Sequence, residues 1–460
     1  MKDAKFKFTD GQKELHKVFK KFLEGPDKFF LLTGKPGVGK STMLKYLLKH
    51  LIDEDIKYGH RFNNANVIGI TFAHQAKNVL GEFIPNVCTF AKAFGLKEQY
   101  DEVSGKRSFV YDEKNRDPKI GSHAVPVFIH DEISQYTKEM IDIVTENLSA
   151  FSKVIFVGDR AQLPPVDSDP NNKDKDSPIF EMEFNKDCSF ELTERVRQGK
   201  ENPILSLTDL IREEIFRNHD IRRIIEFIDK NKGLINGEGY EYLLYKDLKE
   251  HIKEKDFSKT RLVAYRNKTI DYFNYDLRNF LLNYPNNAIV DGDIICMTDN
   301  YYKETAGVPL YVLHNSSVFE LEKVFTKVEN IAIGGKHYKV DCYVANIKNE
   351  MKQFIAVTES SYQQFQENLS DLADRVKARE ITWADFWQYK NSFCKYIYGY
   401  CVTAYKVQGS TYDTVYVDLN DIMLTGPLTP KRKLQAIYTA ITRARYDAYF
   451  LTNKIRKNAN

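Results

Sequence analysis

Residues 34–41 have the types and spacing of a phosphate-binding loop. They read GKPGVGKS, which fits the pattern GxxxxGK(S/T), and they lie between an apolar run and an amphipathic segment. Glycines let backbone N–H groups wrap around phosphates, and the helix that follows adds the positive end of its dipole. Lys40 is predicted to neutralise the β- and γ-phosphates, and Ser41 to hold Mg²⁺ through its hydroxyl. The residues predicted to surround the nucleotide here are Gly34, Pro36, Gly37, Val38, Gly39, Lys40, Ser41 and Thr42.

A pair of carboxylates follows the apolar run 127–129. Asp131 is predicted to bind the water shell of Mg²⁺, and Glu132 to activate the attacking water. The neighbouring His130 fits a packed core position better than a catalytic role. The loop and the carboxylate pair together indicate a P-loop NTPase. They do not distinguish a kinase, a transporter ATPase, a GTPase or a motor.

Composition limits the kind of protein that carries these groups. With 460 residues, 42% of them apolar and 28% charged, the chain is neither wholly disordered nor fibrous, and its length predicts about three domains. A net charge of +3 does not by itself indicate a nucleic-acid partner. The six cysteines form no CxxC pair, which argues against structural zinc and disulfides. We expect a cytoplasmic protein, since no apolar run resembles a membrane span or a signal peptide.

The hydropathy pattern predicts the elements that position the chemical groups. In the first third, short β-rich runs alternate with helical patterns, which is typical of a parallel sheet covered by helices. Residues 97–123 are polar and turn-rich with one β-patterned patch, and they predict an inserted hairpin. From residue 292 to about 357, consecutive β runs predict a small antiparallel barrel. The fold class is therefore α/β, with two domains that each carry an insertion.

Five further segments resemble helicase motifs and occur in the order in which helicases carry them. Residues 158–166, GDRAQLPPV, resemble motif III of superfamily 1 helicases, and residues 192–198 resemble motif IV. Residues 8–12 resemble a Q motif, residues 403–410 motif V, and residues 438–445 motif VI. The resemblance implies that Gln12 reads the adenine edge, that Gln162 senses the γ-phosphate, and that Gly409 lies near the nucleotide.

The resemblance is strongest to the RecD-like branch, superfamily 1B, and within it to the Dda helicase family. Residues 383–387, WADFW, and residues 442–447, TRARYD, are especially similar to that family. The family implies two tandem RecA-like domains with ATP and Mg²⁺ between them, a β-hairpin pin and an SH3-like β-barrel. It also implies a monomer that moves 5′→3′ on single-stranded DNA.

The resemblance extends over nearly the whole chain and divides it into four parts. RecA-like domain 1A is expected at 1–96 and 124–190, with the pin, domain 1B, at 97–123. RecA-like domain 2A is expected at 191–292 and 396–460. The barrel and a helical segment form domain 2B at 293–395.

Two arginines in the motifs are predicted to complete the catalytic machinery. Arg197 and Arg443 face the nucleotide from the second domain in the family, where an arginine stabilises charge on the transferred phosphoryl group. Arg195 and Arg445, beside them, fit salt-bridged surface positions equally well. The predicted catalytic residues are Lys40, Glu132, Gln162, Arg197 and Arg443.

Single-stranded DNA binding requires donors along the backbone and aromatic stacking surfaces. Motif Ia usually carries Pro-Thr where this chain has Phe72-Ala73, so His74 and Lys77 are expected to take over that phosphate contact. Tyr405 replaces the usual histidine of motif V, and Phe109 is the expected stacking ring of the pin. For Trp383 and Trp387, core packing is an equally good interpretation. The predicted DNA-binding residues are Thr71, His74, Lys77, Thr89, Phe90, Lys92, Phe109, Trp383, Trp387, Thr403, Tyr405 and Lys406.

These features predict an ATP-dependent DNA helicase that acts on single-stranded and forked duplex DNA, with replication or recombination proteins as partners. Two enzymes of the same superfamily remain as alternatives, namely a single-strand translocase that displaces proteins and an RNA helicase. A remodelling protein that binds ATP as a switch and hydrolyses it poorly is a further alternative. Intact Glu132, Gln162, Arg197 and Arg443 argue against that switch.

Overall fold

Two six-stranded sheets place the motifs at the ends of their strands. In this computed structural model the described residues are 8–52, 67–71, 80–100, 107–111, 127–148, 152–165, 175–194, 203–230, 233–235, 238–253, 255–284, 288–305, 308–424 and 428–452. We call the first sheet and its helices the first lobe, and the second sheet and its helices the second lobe.

The first sheet has the strand order β3-β2-β6-β7-β1-β8, and all of its strands are parallel. Its strands are β1 (Phe29–Gly34), β2 (Val67–Thr71), β3 (Asn86–Thr89), β6 (Val127–His130), β7 (Lys153–Gly158) and β8 (Ser189–Leu192). Its helices are α1 (Asp10–Glu24), α2 (Lys40–Leu47), which continues as a π-helical turn over Leu48–Ile52, α3 (Phe90–Ala93) and α4 (Lys138–Glu146). Every residue of β2, β6 and β7 is buried, as expected for parallel strands covered on both faces.

The second sheet has the order β19-β11-β20-β21-β10-β9, and only β9 is antiparallel to its neighbour. Its strands are β9 (Gly233–Ile235), β10 (Glu238–Leu243), β11 (Thr260–Ala264), β19 (Cys401–Thr403), β20 (Tyr412–Asp418) and β21 (Ala444–Leu451). Its helices are α5 (Pro203–Phe216), α6 (Ile221–Lys230), α7 (Leu248–Ile252), α8 (Asn267–Leu282), α11 (Leu419–Leu424) and α12 (Pro430–Ile441).

Antiparallel elements account for the remaining strands. β4 (Leu96–Tyr100) and β5 (Arg107–Tyr111) pair as a hairpin. A five-stranded sheet has the order β17-β16-β15-β12-β18, and β13 pairs separately with β14. These strands are β12 (Ile294–Met297), β13 (Tyr301–Thr305), β14 (Val308–Leu313), β15 (Val318–Ile333), β16 (Lys336–Ile347), β17 (Gln353–Val357) and β18 (Tyr396–Tyr398). Helices α9 (Tyr362–Lys377) and α10 (Trp383–Lys390) pack beside β15 and β16.

The mixed α/β fold class with parallel sheets is confirmed, and hydropathy located most of its long elements. The sequence pattern predicts a helix from about residue 73 to 80, and nearly all of that range lies outside the described residues. The division into four domains stays a prediction. β8, which ends at Leu192, pairs with the first sheet, and β18 pairs with the five-stranded sheet. Among the described residues, no helix is both long enough and apolar enough to cross a membrane.

One hydrophobic cluster joins the two lobes. Ala161 and Leu163, from the turn after β7, are fully or almost fully buried in the core of the second sheet. Leu163 N–H donates to Thr439 Oγ1 at 3.0 Å, and Gln408 Nε2 donates to the Leu163 carbonyl at 3.1 Å. The turn that resembles motif III is therefore packed between the lobes.

Candidate active site

The phosphate-binding loop takes its shape from two glycines. Gly39 precedes α2 with a φ of 85°, a left-handed conformation that glycine adopts without strain. A Cβ at Gly34 would lie 2.6 Å from the carbonyl oxygen of Leu192 in β8, so a larger residue does not fit there. At Gly34 the loop packs closely against β8, and at Gly39 it leads directly into α2. The first N–H groups of α2 have no partners within the helix.

Lys40 turns its ammonium group back into this loop. Lys40 Nζ donates to the carbonyl oxygen of Gly34 at 2.5 Å and to that of Lys35 at 3.2 Å. Desolvation lowers the pKa of Lys40, while the carboxylates of Asp159, Glu132 and Asp131 act to raise it. The ammonium thus lies beside two carbonyl oxygens of the loop and close enough to three acids to feel their charge.

The acidic pair lies at the carboxyl end of β6. Glu132 N–H donates to Asp131 Oδ1 at 2.9 Å, and Asp131 N–H donates to the Ile70 carbonyl at 3.0 Å. Burial, and then the neighbouring Glu132 charge, raise the pKa of Asp131 to about 7. Glu132 has a φ of 55°, a left-handed conformation that costs a non-glycine residue about 1–2 kcal/mol. Strain of this kind is concentrated at functional sites.

Glu132, Gln162 and Arg443 meet across the boundary between the lobes. Arg443 Nη1 lies 3.8 Å from Glu132 Oε1, and both side chains are largely buried. The Gln162 amide lies between them. With its nitrogen toward the acid, it donates to Glu132 Oε2 at 3.1 Å and accepts from Arg443 Nη2 at 3.3 Å. The residue predicted to act as general base, the residue predicted to sense the γ-phosphate and an arginine of the second lobe therefore contact one another.

Gln12 lies at the N-terminus of α1 in a capping box. Thr9 Oγ1 accepts from Gln12 N–H at 3.3 Å, and Gln12 Oε1 accepts from Thr9 N–H at 3.2 Å. Gln12 is 1% exposed, and its Nε2 has no hydrogen-bond partner among the described residues. An orphaned buried donor costs free energy. A nucleotide base with a ring-nitrogen acceptor would satisfy it.

The donors near the loop also fit a magnesium ion. Mg²⁺ takes one or two protein oxygens and completes its octahedron with phosphates and water. Ser41 lies at the exposed start of α2, and Asp131 supplies one carboxylate. Within the described ranges, no group of three or more His, Cys, Asp and Glu side chains forms a dedicated metal cage. This arrangement suits an ion that arrives with the nucleotide.

A second cluster across the cleft contains residues that the sequence did not identify. The Asp159 carboxylate is fully buried and accepts from Tyr438 Oη at 2.7 Å and from Arg212 Nη1. Burial and the Asp159 charge hold the pKa of Tyr438 well above its usual value, so its hydroxyl stays a donor. Asp159 and Tyr438 lie within the matched motifs. Arg212 is one arginine in an ordinary helix, and no sequence signal marked it.

Several predicted residues lie outside the described part of the chain. They are Arg195, Arg197, His74 and Lys77. Phe109 belongs to β5, where the structure describes its backbone but not its side chain. Its predicted role in the pin therefore stays a prediction. Gly409 lies next to Gln408, which accepts from Gln135 Nε2 of the first lobe at 2.7 Å.

The predicted DNA contacts of the first lobe lie at the ends of β2 and β3. Thr71 is buried, and its Oγ1 has no hydrogen-bond partner among the described residues. Thr89 caps α3 by accepting from Lys92 N–H at 3.4 Å, and Lys92 is exposed. The prediction of Phe90 as a stacking surface is wrong for this structure. Its ring is 4% exposed and packs on Phe94 with ring centroids 4.8 Å apart.

The predicted contacts of the second lobe lie after β19 and on α10. Lys406 Nζ donates to the Met297 carbonyl at 3.0 Å, so it must leave β12 before it can contact DNA. Thr403 Oγ1 accepts from Lys406 N–H at 3.2 Å, and Tyr405 is half-buried. Trp383 and Trp387 are half-buried on either side of Phe386, with ring centroids 5.2 and 5.5 Å from it. Each tryptophan keeps part of its surface exposed.

The parallel sheets, the phosphate-binding loop and the arginine from the second lobe define a P-loop NTPase whose active site lies between two lobes. A family model described as "AAA domain" matches residues 7–232, and one described as "UvrD-like helicase C-terminal domain" matches residues 398–451. The ATP-dependent DNA helicase Dda of Enterobacteria phage T4 is 22% identical over 96% of this chain and 99% of its own length. These matches support a superfamily 1B helicase that resembles Dda along almost the whole chain.

Solved structures of Pif1 share the fold. Bacteroides Pif1 bound to single-stranded DNA is 15% identical, with a TM-score of 0.53 over 98% of this chain and 94% of that one. Pif1 from Candida albicans is 14% identical, with a TM-score of 0.50 over 98% of this chain and 95% of that one. At this level of identity, the likeness concerns the fold alone.

Proposed function

We propose that this protein, an ATP-dependent DNA helicase, moves 5′→3′ on single-stranded DNA and opens forked duplexes by coupling ATP hydrolysis to relative movement of its lobes. The observation that carries the proposal is the contact of Glu132, Gln162 and Arg443 across the cleft. Hydrolysis there requires residues of both lobes. Each round of chemistry therefore depends on how the lobes are placed.

The chain's own residues account for the hydrolytic step. The Glu132 carboxylate accepts a proton from the water that attacks the γ-phosphorus, while the bond to the β–γ bridging oxygen breaks. Lys40 and Arg443 neutralise the charge that gathers on the phosphoryl oxygens. Ser41 and Asp131 would hold Mg²⁺, which would neutralise part of the charge of the bound phosphates. Gln162 senses the γ-phosphate and links its loss to the second lobe.

Movement on DNA follows from what hydrolysis removes. Arg443 and Gln162 lose a shared anionic partner when the γ-phosphate leaves, so the closed cleft is less favoured. The candidate DNA contacts sit on different lobes, with Thr89 and Lys92 on the first and Thr403 on the second. Opening and closing of the cleft therefore change the distance between two DNA contacts on the same strand. We also propose that the chain is divided into domains 1A, 1B, 2A and 2B, that it acts as a monomer, and that it is located in the cytoplasm.

Unwinding assays with two partial duplexes test the function. One duplex has a 5′ single-stranded tail, the other a 3′ tail, and each is incubated with ATP and Mg²⁺ beside an ATPase assay with and without single-stranded DNA. We expect unwinding of the 5′-tailed duplex only, and ATPase that single-stranded DNA stimulates. Unwinding of only the 3′-tailed duplex would overturn the direction. ATPase that RNA stimulates in place of DNA would support an RNA helicase. Displacement of bound protein without opening of either duplex would support a single-strand translocase.

A further inference from the structure

One helix of the second lobe contacts both the phosphate-binding loop and the turn that resembles motif III. α5 packs against α12 and the core of the second sheet. Lys35 Nζ, in the loop, lies 2.8 Å from Asp209 Oδ1. Arg212 contacts the Asp159 carboxylate through Nη1 and Glu191 Oε1 through Nη2 at 2.9 Å. Asp209 and Arg212 are three residues apart, so they share one face of α5.

The Asp159 carboxylate is compensated mainly from the other lobe. It is fully buried, and a buried carboxylate is costly unless a cation and hydrogen bonds satisfy it. The Lys40 charge of the first lobe also acts on it, whereas its ion-pair partner is the largely buried Arg212 and one of its hydrogen-bond donors is the Tyr438 hydroxyl. Both partners belong to the second lobe. Separation of the lobes would remove Arg212 and Tyr438 and expose the Asp159 carboxylate to water.

The same carboxylate sets the shape of the turn that carries Gln162. Asp159 Oδ1 accepts from Ala161 N–H at 3.0 Å, and the Asp159 carbonyl accepts from Gln162 N–H at 3.1 Å. Gln162 in turn lies between Glu132 and Arg443. The position of Asp159 is therefore linked to that of Gln162 by one hydrogen bond to the Asp159 side chain and one to its backbone carbonyl.

We propose that Arg212 is a positioning residue that couples closure of the cleft to hydrolysis, because it neutralises Asp159 only when the two lobes are together. The inference rests on the proposed function and adds a residue to it. Arg212 does not touch the reacting atoms. It acts through Asp159 and the turn from residue 159 to 162. Closure completes the ion pair and at the same time fixes Gln162 against Glu132 and Arg443.

Arg212→Gln tests this role by separating nucleotide binding from turnover. We expect the ATPase kcat at saturating single-stranded DNA to fall about 10- to 100-fold, because the closed state then holds an uncompensated buried carboxylate. We expect the affinity for a fluorescent ADP analogue to change less than about threefold, since no hydrogen bond or ion pair joins Arg212 to the described phosphate-binding loop, although its charge acts on Lys40. A role confined to folding would not separate the two quantities.

Two further variants serve as controls. Arg217→Gln removes the same charge a few residues later, where the side chain is exposed and pairs only with Glu213 among the described contacts. It should keep wild-type kcat. Arg212→Lys keeps the cation but loses the second arm that reaches Glu191, and it should recover kcat to within about tenfold of wild type.

A double-mutant cycle with Asp159→Asn tests whether the pair acts as one unit. The double variant should have a kcat no lower than that of Arg212→Gln alone, because the neutral amide no longer needs a cation. The cycle also keeps the test valid if Arg212→Gln folds poorly, since Arg212→Lys, Asp159→Asn and the double variant are then compared.

The outcomes separate this inference from the proposed function. Wild-type protein without DNA-stimulated ATPase would overturn the function itself. If the wild type hydrolyses ATP, the inference fails when Arg212→Gln turns over like Arg217→Gln. It also fails when nucleotide affinity falls in parallel with kcat, or when the effects of Asp159→Asn and Arg212→Gln multiply.

Discussion

Lys40 is held by the loop whose anionic ligand it is expected to bind. Its ammonium donates to the Gly34 and Lys35 carbonyls, while three carboxylates lie close enough to influence its pKa. A terminal phosphate offers it a full negative charge instead of two carbonyl dipoles. Nucleotide binding should therefore draw Lys40 away from the Gly34 carbonyl.

Lys40→Ala should reduce ATPase at least 100-fold and leave single-stranded DNA binding within about threefold of wild type. The ammonium contributes to phosphate charge, while the candidate DNA contacts lie at other strand ends. ATP turnover and fluorescence anisotropy of a labelled oligonucleotide measure the two effects. Lys45→Ala, at an exposed position five residues later, is the control and should behave like wild type. Persistent hydrolysis by Lys40→Ala would mean that the nucleotide site has been assigned wrongly.

Asp131→Asn should change how the stability of the nucleotide-free protein depends on pH. Burial and the Glu132 charge raise the pKa of Asp131 from 3.8 to about 7. A raised acid pKa contributes stability that is complete below pH 3.8 and is lost as pH rises through about 7. Relative to wild type, the variant should therefore gain roughly 2–3 kcal/mol in unfolding free energy between pH 5 and pH 8.

Urea denaturation at both pH values measures this change. Asp142→Asn, at an exposed position on α4, is the control and should follow the wild-type profile. Parallel profiles for wild type and Asp131→Asn would show that the carboxyl is not titrating near neutrality. The same variant should lose Mg²⁺-dependent hydrolysis, so the group that limits stability is also the one that the reaction needs.

At the scale of elements, the N-terminus of α12 is tied to the first lobe through one buried acid. Asp176 accepts from Arg160 Nε at 3.0 Å and from Lys431 Nζ at 2.9 Å, and Gln435 Nε2 lies 3.4 Å away. Arg432 Nη2 also donates to the Lys175 carbonyl at 2.8 Å. Because the acid and Arg160 lie in the first lobe and the other side chains belong to α12 of the second, this cluster is complete only when the lobes are assembled.

Asp176→Asn should destabilise the protein by about 1–3 kcal/mol at pH 7, because it leaves cations without a counter-charge at a buried position. Thermal or urea unfolding measures the loss. Asp413→Asn, which removes the partner of the exposed Arg445, should cost less than about 0.5 kcal/mol. Equal losses for the two variants would show that the Asp176 cluster contributes no more than an ordinary surface pair.

At the scale of the whole molecule, nucleotide and DNA should influence each other's binding, because both act on the same closure of the lobes. Coupling of this kind is reciprocal and typically amounts to a factor of about 5 to 150 in affinity. We expect single-stranded DNA affinity to differ by at least fivefold between the ADP state and a state with a non-hydrolysable ATP analogue.

Arg443→Ala should abolish most of this difference, since it removes the contact that we propose between the second lobe and the γ-phosphate. Glu132→Gln should block hydrolysis and keep the difference, since Arg443 and Gln162 remain. Anisotropy of a labelled oligonucleotide at fixed ionic strength measures both variants. If Arg443→Ala kept the difference in DNA affinity between the two nucleotide states, other residues of the cleft would have to couple nucleotide to DNA.

The sequence by itself determined the local chemistry and most long elements. The loop around Lys40 and the strand before Asp131 are contiguous in the chain, so spacing and hydropathy sufficed to predict them. Long buried strands such as β7 were equally clear. Short edge strands such as β3 and β8 were not, because three or four residues carry too little periodicity.

Only the tertiary structure decided which residues face each other across the cleft. Arg212 lies 53 positions from Asp159, and Tyr438 lies 279 positions from it. Pairs so distant in sequence cannot be predicted from the spacing of neighbouring residues. Burial also separated Phe90, which packs in the core, from aromatic residues with exposed surface. A side chain's neighbours depend on how distant elements pack, and that packing is settled by the whole fold.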